Sequence, residues 1–577
     1  MNDISENLFQ LLCSPVIANQ LLAVQLAHSQ LNVEERIELS KRWLKFFSDE
    51  EISKNFFFPN YKSGQLNSKR EEYIYAAGIL SDTLESITLR HWQDSDLPAT
   101  FYYFKKLKVL NIEHGKLSVF LKKLDHFPCL TELTVLNVGL TTLPDEIGNA
   151  ASLEILNLRM NYLQTLGTGI SRLKNLKKLS LEHDRLTDWK SELENLSKLK
   201  NFEHLEVMDS ACEHLPSEIG LLDNLKVLDF QSPGPYYFVN AGRMFGDCLV
   251  SVAEEIGDLK NLKYLCFKKQ PIKTLPNGIG NLKNLKELNL SNSGIEELPE
   301  TLGDLEKLEK LDCYKSALKM LPESIGELKH LKELIASDSQ ISIIPETIGK
   351  IKSLEALRLS RHSRNKTIAD INFDWICQLD NLRELELSNL NLRTIPSNMS
   401  RLKKLIIFTA NFNQIKYIDL SIFGIKTLNR LSLNHNMLFE IPAEIANLTE
   451  LTLFSASVNK LKSVPEELFQ LEKLEKINLT HNRLEKFEWK ENELKSIKSL
   501  LLNDNRISHL SEKIAGLKTL NELKMLANPL ESIPIEAIKQ LPRLFYLHLP
   551  RSIYTNAEIL AFREQLKGTC AAYDLRF

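Results

Sequence analysis

No run of 18 uninterrupted apolar residues occurs in the chain, so no bilayer-spanning helix is expected. The first ten residues, MNDISENLFQ, lack the basic start and apolar stretch of a secretory signal. Charge of one sign is lacking too: 72 Lys and Arg stand against 75 Asp and Glu, which offers nucleic acid or an anionic membrane no electrostatic footprint. The eight cysteines include no CxxC pair. Cys212 and Cys313 fall where aliphatic residues recur, and read as small reduced core residues of a cytoplasmic protein. GxxxxGK[ST], HExxH, GxSxG and the protein-kinase motif set are all missing. LGTGIS at 166–171 lacks the third glycine of a dinucleotide loop, and Cys13 has no recognisable catalytic companion. The expectation is a non-enzymatic chain without cofactor or metal.

What the chain does have is a beat. The pattern LxxLxLxxNxL begins at Leu84 and recurs to a last start at Leu544, giving twenty units; fifteen of the nineteen intervals are 23 residues and the others are 26, 37, 28 and 24. LEILNLRMNYL (153–163) and LEKINLTHNRL (474–484) show it plainly. The LxL centre alternates as a short strand does, and one strand per unit must stack on its neighbours to bury its apolar face. In these motifs the chain resembles the leucine-rich-repeat (LRR) family over about 84–551. The LPxxIGxLxxL form is most similar to bacterial cytosolic LRR proteins and plant intracellular Ras-group LRR proteins.

The resemblance and the stacking argument together imply an α/β fold: a curved horseshoe solenoid of about 20 repeats, with a parallel concave sheet. At the ninth position Asn161 and an unbroken series from Asn413 through Asn436, Asn459, Asn482 and Asn505 to Asn528 are suited to satisfy turn backbone; Ser293, Ser316, Ser339 and Asp184 should do so more thinly. Eleven prolines lie fourteen residues after a unit's start, as in Pro276 and Pro299, which predicts short helical or irregular turns opening on proline. Residues 1–83 read as a helical N-terminal cap with Asn32 and Glu35 as a capping box, and 552–577 as a C-terminal capping helix and tail with Thr555 and Glu558 in that role. The repeats fill 84–551, with insertions near 234–247 and 362–370. Known LRR enzymes usually carry catalysis in an appended domain such as a kinase, a GTPase or a ligase module; the 28 residues after Leu549 are too few for one and the leader is short, so catalysis is not expected.

Five histidines, His91, His114, His183, His435 and His481, share the eighth position. His91 and His114 on adjacent units are close enough to share a metal, but no Cys or carboxylate companions stand at ligand spacing, so solvated side chains are expected. Positions three, five, seven and eight face outward from the sheet and are the natural contact residues. Among them Lys268, Lys269, Tyr314, Lys315, Arg358 and Arg361 form the prominent charged region; the insertions add Tyr236, Tyr237, Phe238 and Arg364 as candidate partner-binding residues. The expected function is a scaffold binding another protein through the concave face and inserted loops. The Ras-group resemblance points to a signalling protein or small GTPase as partner, without nucleic acid. The alternative is a bacterial effector delivered into host cells, with the N-terminal region as secretion or activity module.

Overall fold

The structure is a computed structural model. It describes residues 85–91, 104–116, 119–182, 185–232, 248–361, 373–550, 555–566 and 574–576, with scattered short groups between 7 and 39. The chain divides into two compact units, Met1–Ile272 and Lys273–Phe577.

Each unit is a solenoid segment of stacked parallel strands in which one repeat makes one rung, named here by its first residue. Strands pair in parallel with the rung before and after, without slippage of the leucine pattern: Leu110 lies opposite Leu133 in the first unit, and Leu288, Leu311 and Leu334 follow one another in the second. Val109–Glu113 shows why: Leu110 and Ile112 are buried while Val109, Asn111 and Glu113 are half-exposed. Slipping by one residue would turn every leucine outward. Leucines one, four and six of the rungs are almost all fully buried, as Leu285, Leu288 and Leu290 are; each is worth about 1.5–3 kcal/mol of burial.

After the buried ninth residue the chain turns. Asn436 stitches rungs together: its Nδ2 donates to Ala410 O of the preceding rung (2.9 Å) and to Leu433 O (3.1 Å), while its Oδ1 accepts from Ile415 N (3.1 Å). Asn161 does the same in the first unit, donating to Val135 O and Leu158 O at 2.8 Å. Ser316 and Ser339 donate only to their own rungs, at Cys313 O and Ala336 O (both 2.8 Å), so the serine version is indeed thinner. Asp184 lies outside the described residues.

The return path holds short 3₁₀ turns, such as Asn277–Asn281 and Glu300–Asp304. Proline does not sit inside their first turn; it stands one residue ahead, extended, where its carbonyl accepts the first bond, Ile279 N to Pro276 O at 3.2 Å and Leu302 N to Pro299 O at 3.0 Å. The turn type changes where three residues are added to the return path. Rungs of 23 residues accommodate single 3₁₀ turns, whereas the rung opening the 26-residue interval holds an α-helix, Trp189–Leu196, capped by Asp188 accepting from Ser191 N at 3.1 Å. Three extra residues supply the length that the more compact α-helix consumes.

Both expected capping boxes are formed. Asn32 N donates to Glu35 Oε2 (3.0 Å) and Glu35 N to Asn32 Oδ1 (2.9 Å); Thr555 N donates to Glu558 Oε2 (2.8 Å) at the head of the helix Asn556–Gln565. The tail goes further than a cap: Asp574–Arg576 is a strand paired in parallel with Tyr546–His548.

Candidate partner-binding surface

Odd-numbered strand positions form the exposed face of each unit, and the eighth position ends it. There the backbone enters the left-handed region: Lys269, Asn292, Lys315, Asp338, Asn389, Phe412, His435, His481 and Asp504 all have φ between 51 and 61°. Asn, Asp and His tolerate that conformation better than other side chains. This accounts for the histidine column, since His91 and His114 also have φ of 60 and 56°. Their rings stack at 5.3 Å, and Asn137 Nδ2 lies 2.9 Å from His114 Nδ1. Among the described residues no group of three or more His, Cys, Asp or Glu is arranged to hold a metal ion. His183 lies outside them.

In the first unit the face centres on Glu206. Its carboxylate accepts from Arg159 Nη2, Lys178 Nζ and Ser180 Oγ (each 2.8 Å), and His204 Nε2 lies at 2.9 Å. The His204 contact, with Lys178 and Ser180 behind it, holds the Glu206 carboxyl far below the usual carboxylate range despite its burial. On the next rung burial pushes Asp229 up, although Gln231 Nε2 donates to it at 2.8 Å. Burial likewise pushes the Cys266 thiol up to about 12, which makes it inert. Lys268 and Lys269 are half-buried at the end of the following strand.

That rung also anchors the long insertion at both ends. Ser232 N donates to Lys268 O (3.2 Å), and Leu249 N donates to the Oε1 of buried Gln270 (2.9 Å), which stands where other rungs have asparagine. Tyr236, Tyr237 and Phe238 lie within 233–247, and Arg364 within 362–372, outside the described residues.

In the second unit Tyr314 and Lys315 are exposed, with Lys315 Nζ 5.1 Å above the Tyr314 ring. Arg358 is half-buried and spent on Glu384, which raises its pKa further. Arg361 departs from expectation: it is 7% exposed, and burial lowers its pKa. The strand Ala356–Arg361 does not break into the left-handed turn at the eighth position; it continues and pairs Arg361 with Ser339, carrying the side chain off the exposed face. Arg361 O accepts from Asn389 Nδ2 at 2.7 Å.

Missed in the sequence reading is a row at the tenth position, on the flank just past the turn. Lys460, Arg483 and Arg506 occupy it on successive rungs, beside exposed Tyr417 and Phe439. The signal was available as three cations at 23-residue spacing.

With this geometry the chain belongs to the leucine-rich-repeat family: a model described as a leucine-rich repeat region matches residues 83–251, 244–315 and 279–372. LRR domains serve generally as protein-binding scaffolds. The chain is similar to the disease resistance protein RFL1 of Arabidopsis thaliana, 30% identical over 109 residues (18% of this chain and 12% of that protein). It is also similar to the adenylate cyclase of Schizosaccharomyces pombe, 35% identical over 100 residues (17% and 6%). The match thus spans about an eighth or less of the length of these curated relatives. The LRR protein LIC12759 of Leptospira interrogans has the same fold, with a TM-score of 0.53, 24% identity, and coverage of 82% of this chain and 97% of that one. Among the described residues no helix is long and apolar enough to cross a membrane.

Proposed function

We propose that the chain is a non-enzymatic scaffold that holds a partner protein on its exposed strand face and on the insertions near 234–247 and 362–370, in cytoplasmic signalling. One observation carries this reading. Buried leucines and the ninth-position residues meet the architectural requirements of the rungs, so strand positions three, five and seven are free to vary, and they do: Asp312 and Tyr314 on one rung, Lys268 on another, Thr409 on a third. A surface whose side chains are released from packing duties is suited to recognition. The Ras-group resemblance makes a small GTPase a reasonable first partner to try, by fold-level analogy.

Affinity capture from the source cell tests it, comparing the intact chain with one lacking residues 234–247 and one carrying Y314S/K315E. Loss of partner proteins in either variant, with unchanged melting temperature, supports the scaffold. Capture of the same proteins by all three forms would remove these surfaces from the reading.

A further inference from the structure

Ion pairing in the second unit is organised by rung at the second position. Glu309 accepts from Lys286 (2.9 Å) and Lys332 (2.8 Å) on either side, and Lys498 reaches Glu475 (2.7 Å). The opposite flank, past the turn, pairs Lys273 and Lys319 with Glu296 at the twelfth position of earlier rungs, but breaks this habit at the tenth position of rungs 451, 474 and 497. Its tenth-position backbone is laddered: Lys460 N donates to Leu438 O (2.9 Å), Arg483 N to Leu461 O (2.8 Å) and Arg506 N to Leu484 O (2.9 Å). The three cations therefore leave adjacent rungs at a spacing of about 4.8 Å. Arg483 and Arg506 are exposed, and among the described residues neither has an ion-pair partner.

Around this row positions ten, twelve and thirteen of rungs 405 to 497 add Lys416, Lys462 and Lys486 against only Glu440 and Glu485, a local excess of positive charge on a chain whose net charge is −3. The same flank exposes apolar surface. Tyr417 is 61% and Phe439 45% exposed, their ring centroids are 6.4 Å apart, and Lys460 Nζ sits 5.4 Å from the Phe439 centroid. Paired aromatics beside uncompensated cations favour a ligand that brings both carboxylates and apolar side chains.

We propose that this flank, from Tyr417 to Arg506, is a docking site for an acidic segment of a partner protein, its carboxylates on Lys460, Arg483 and Arg506 and its apolar side chains on Tyr417 and Phe439. The proposal rests on the protein-binding reading above and deepens it. A protein segment suits the surface better than a nucleic acid: Glu440 and Glu485 interrupt the positive field where a phosphate backbone would run, and the aromatic pair offers an apolar contact that carboxylates alone do not need.

Fluorescence anisotropy on the full chain tests this, with three labelled twelve-residue peptides: one alternating Asp or Glu with Leu and Phe, one with Lys in place of the acids, and one acidic with Ser in place of the apolar residues. The acidic–apolar peptide should bind at least tenfold more tightly than the other two and weaken as salt rises. R483E/R506E and Y417S/F439S should each cost tenfold or more, with thermal unfolding unchanged because all four side chains are exposed. Equal binding of the three peptides, or binding retained by R483E/R506E, would overturn the proposal. Tighter binding of a labelled duplex DNA, lost in R483E/R506E, would overturn the partner class. Partner proteins captured from cells equally by R483E/R506E and the intact chain would remove this site and leave the scaffold reading in place.

Discussion

Arg358 donates from Nε and Nη2 to the two carboxylate oxygens of Glu384 on the next rung, each at 2.7 Å. The two side chains are about equally half-buried, at 31% and 29% exposure. A two-point contact of this kind fixes both groups and outweighs a flexible surface pair. Arg358 thus acts first as a clamp between rungs. R358A and E384Q should each lower stability by about 1–2 kcal/mol, and the double variant should lose less than their sum. Urea unfolding of the four proteins checks it; strictly additive losses would show that the clamp contributes nothing.

The asparagine column makes a sharper claim. Replacing Asn436 with Ala leaves Ala410 O and Ile415 N without their buried partner, while Leu433 O keeps a bond from Asn459 Nδ2 at 3.0 Å. Each orphaned group costs about 1–3 kcal/mol, so N436A should cost several kcal/mol in all. N436S should recover the part made within its own rung, as Ser316 does at Cys313 O. Hydrogen exchange would show the loss confined to rungs 405, 428 and 451; protection unchanged in N436A would contradict the stitching role.

Much of this was legible because the same side chain does the same job at each beat. Leucine spacing gave strand, register and core face, and two residues three apart gave each capping box. Other features depend on partners far along the chain. Arg361 is buried because its strand keeps pairing with Ser339, a choice no local pattern records. The three-residue strand Asp574–Arg576 exists through Tyr546–His548 alone and is too short to show a period. The histidine column was visible, yet its cause is a backbone conformation, and a search for ligand sets could not find it. The neighbouring Asn137, Asn292, Asn389, Asp209, Asp338 and Asp504 in the same column pointed that way.

Rung spacing explains one recurrent glycine and excuses another. A Cβ on Gly303 would lie 2.6 Å from Ser324 O and 2.7 Å from Ser324 Cβ on the next rung, whereas one on Gly516 would meet nothing within 4 Å. G303A should therefore push two turns apart and cost about 1–3 kcal/mol. G516A should change stability by no more than about 0.5 kcal/mol. Thermal melts of the two variants separate close approach from any general need for glycine in this sequence pattern; equal losses would refute it.

Glu206 and Asp229 sit on adjacent rungs and titrate in opposite senses, which predicts opposite pH behaviour for their amide variants. The folded pKa of Glu206 is depressed, chiefly by His204. Its contribution is therefore complete above the unfolded value of about 4.3 and fades as pH falls toward the folded one. E206Q should melt well below the wild type at pH 7, with the gap narrowing below about pH 4. Asp229 has a raised folded pKa because it is buried. Its contribution is favourable below the unfolded value of about 3.9 and is lost as pH rises through the folded value, leaving a buried charge at neutrality. D229N keeps an oxygen to accept from Gln231 and removes that charge, so it should melt no lower than wild type at pH 7 and lose any advantage near pH 4. Calorimetric scans from pH 3 to 8 read both curves, and parallel curves for the two variants would mean that neither carboxyl is shifted as its surroundings require.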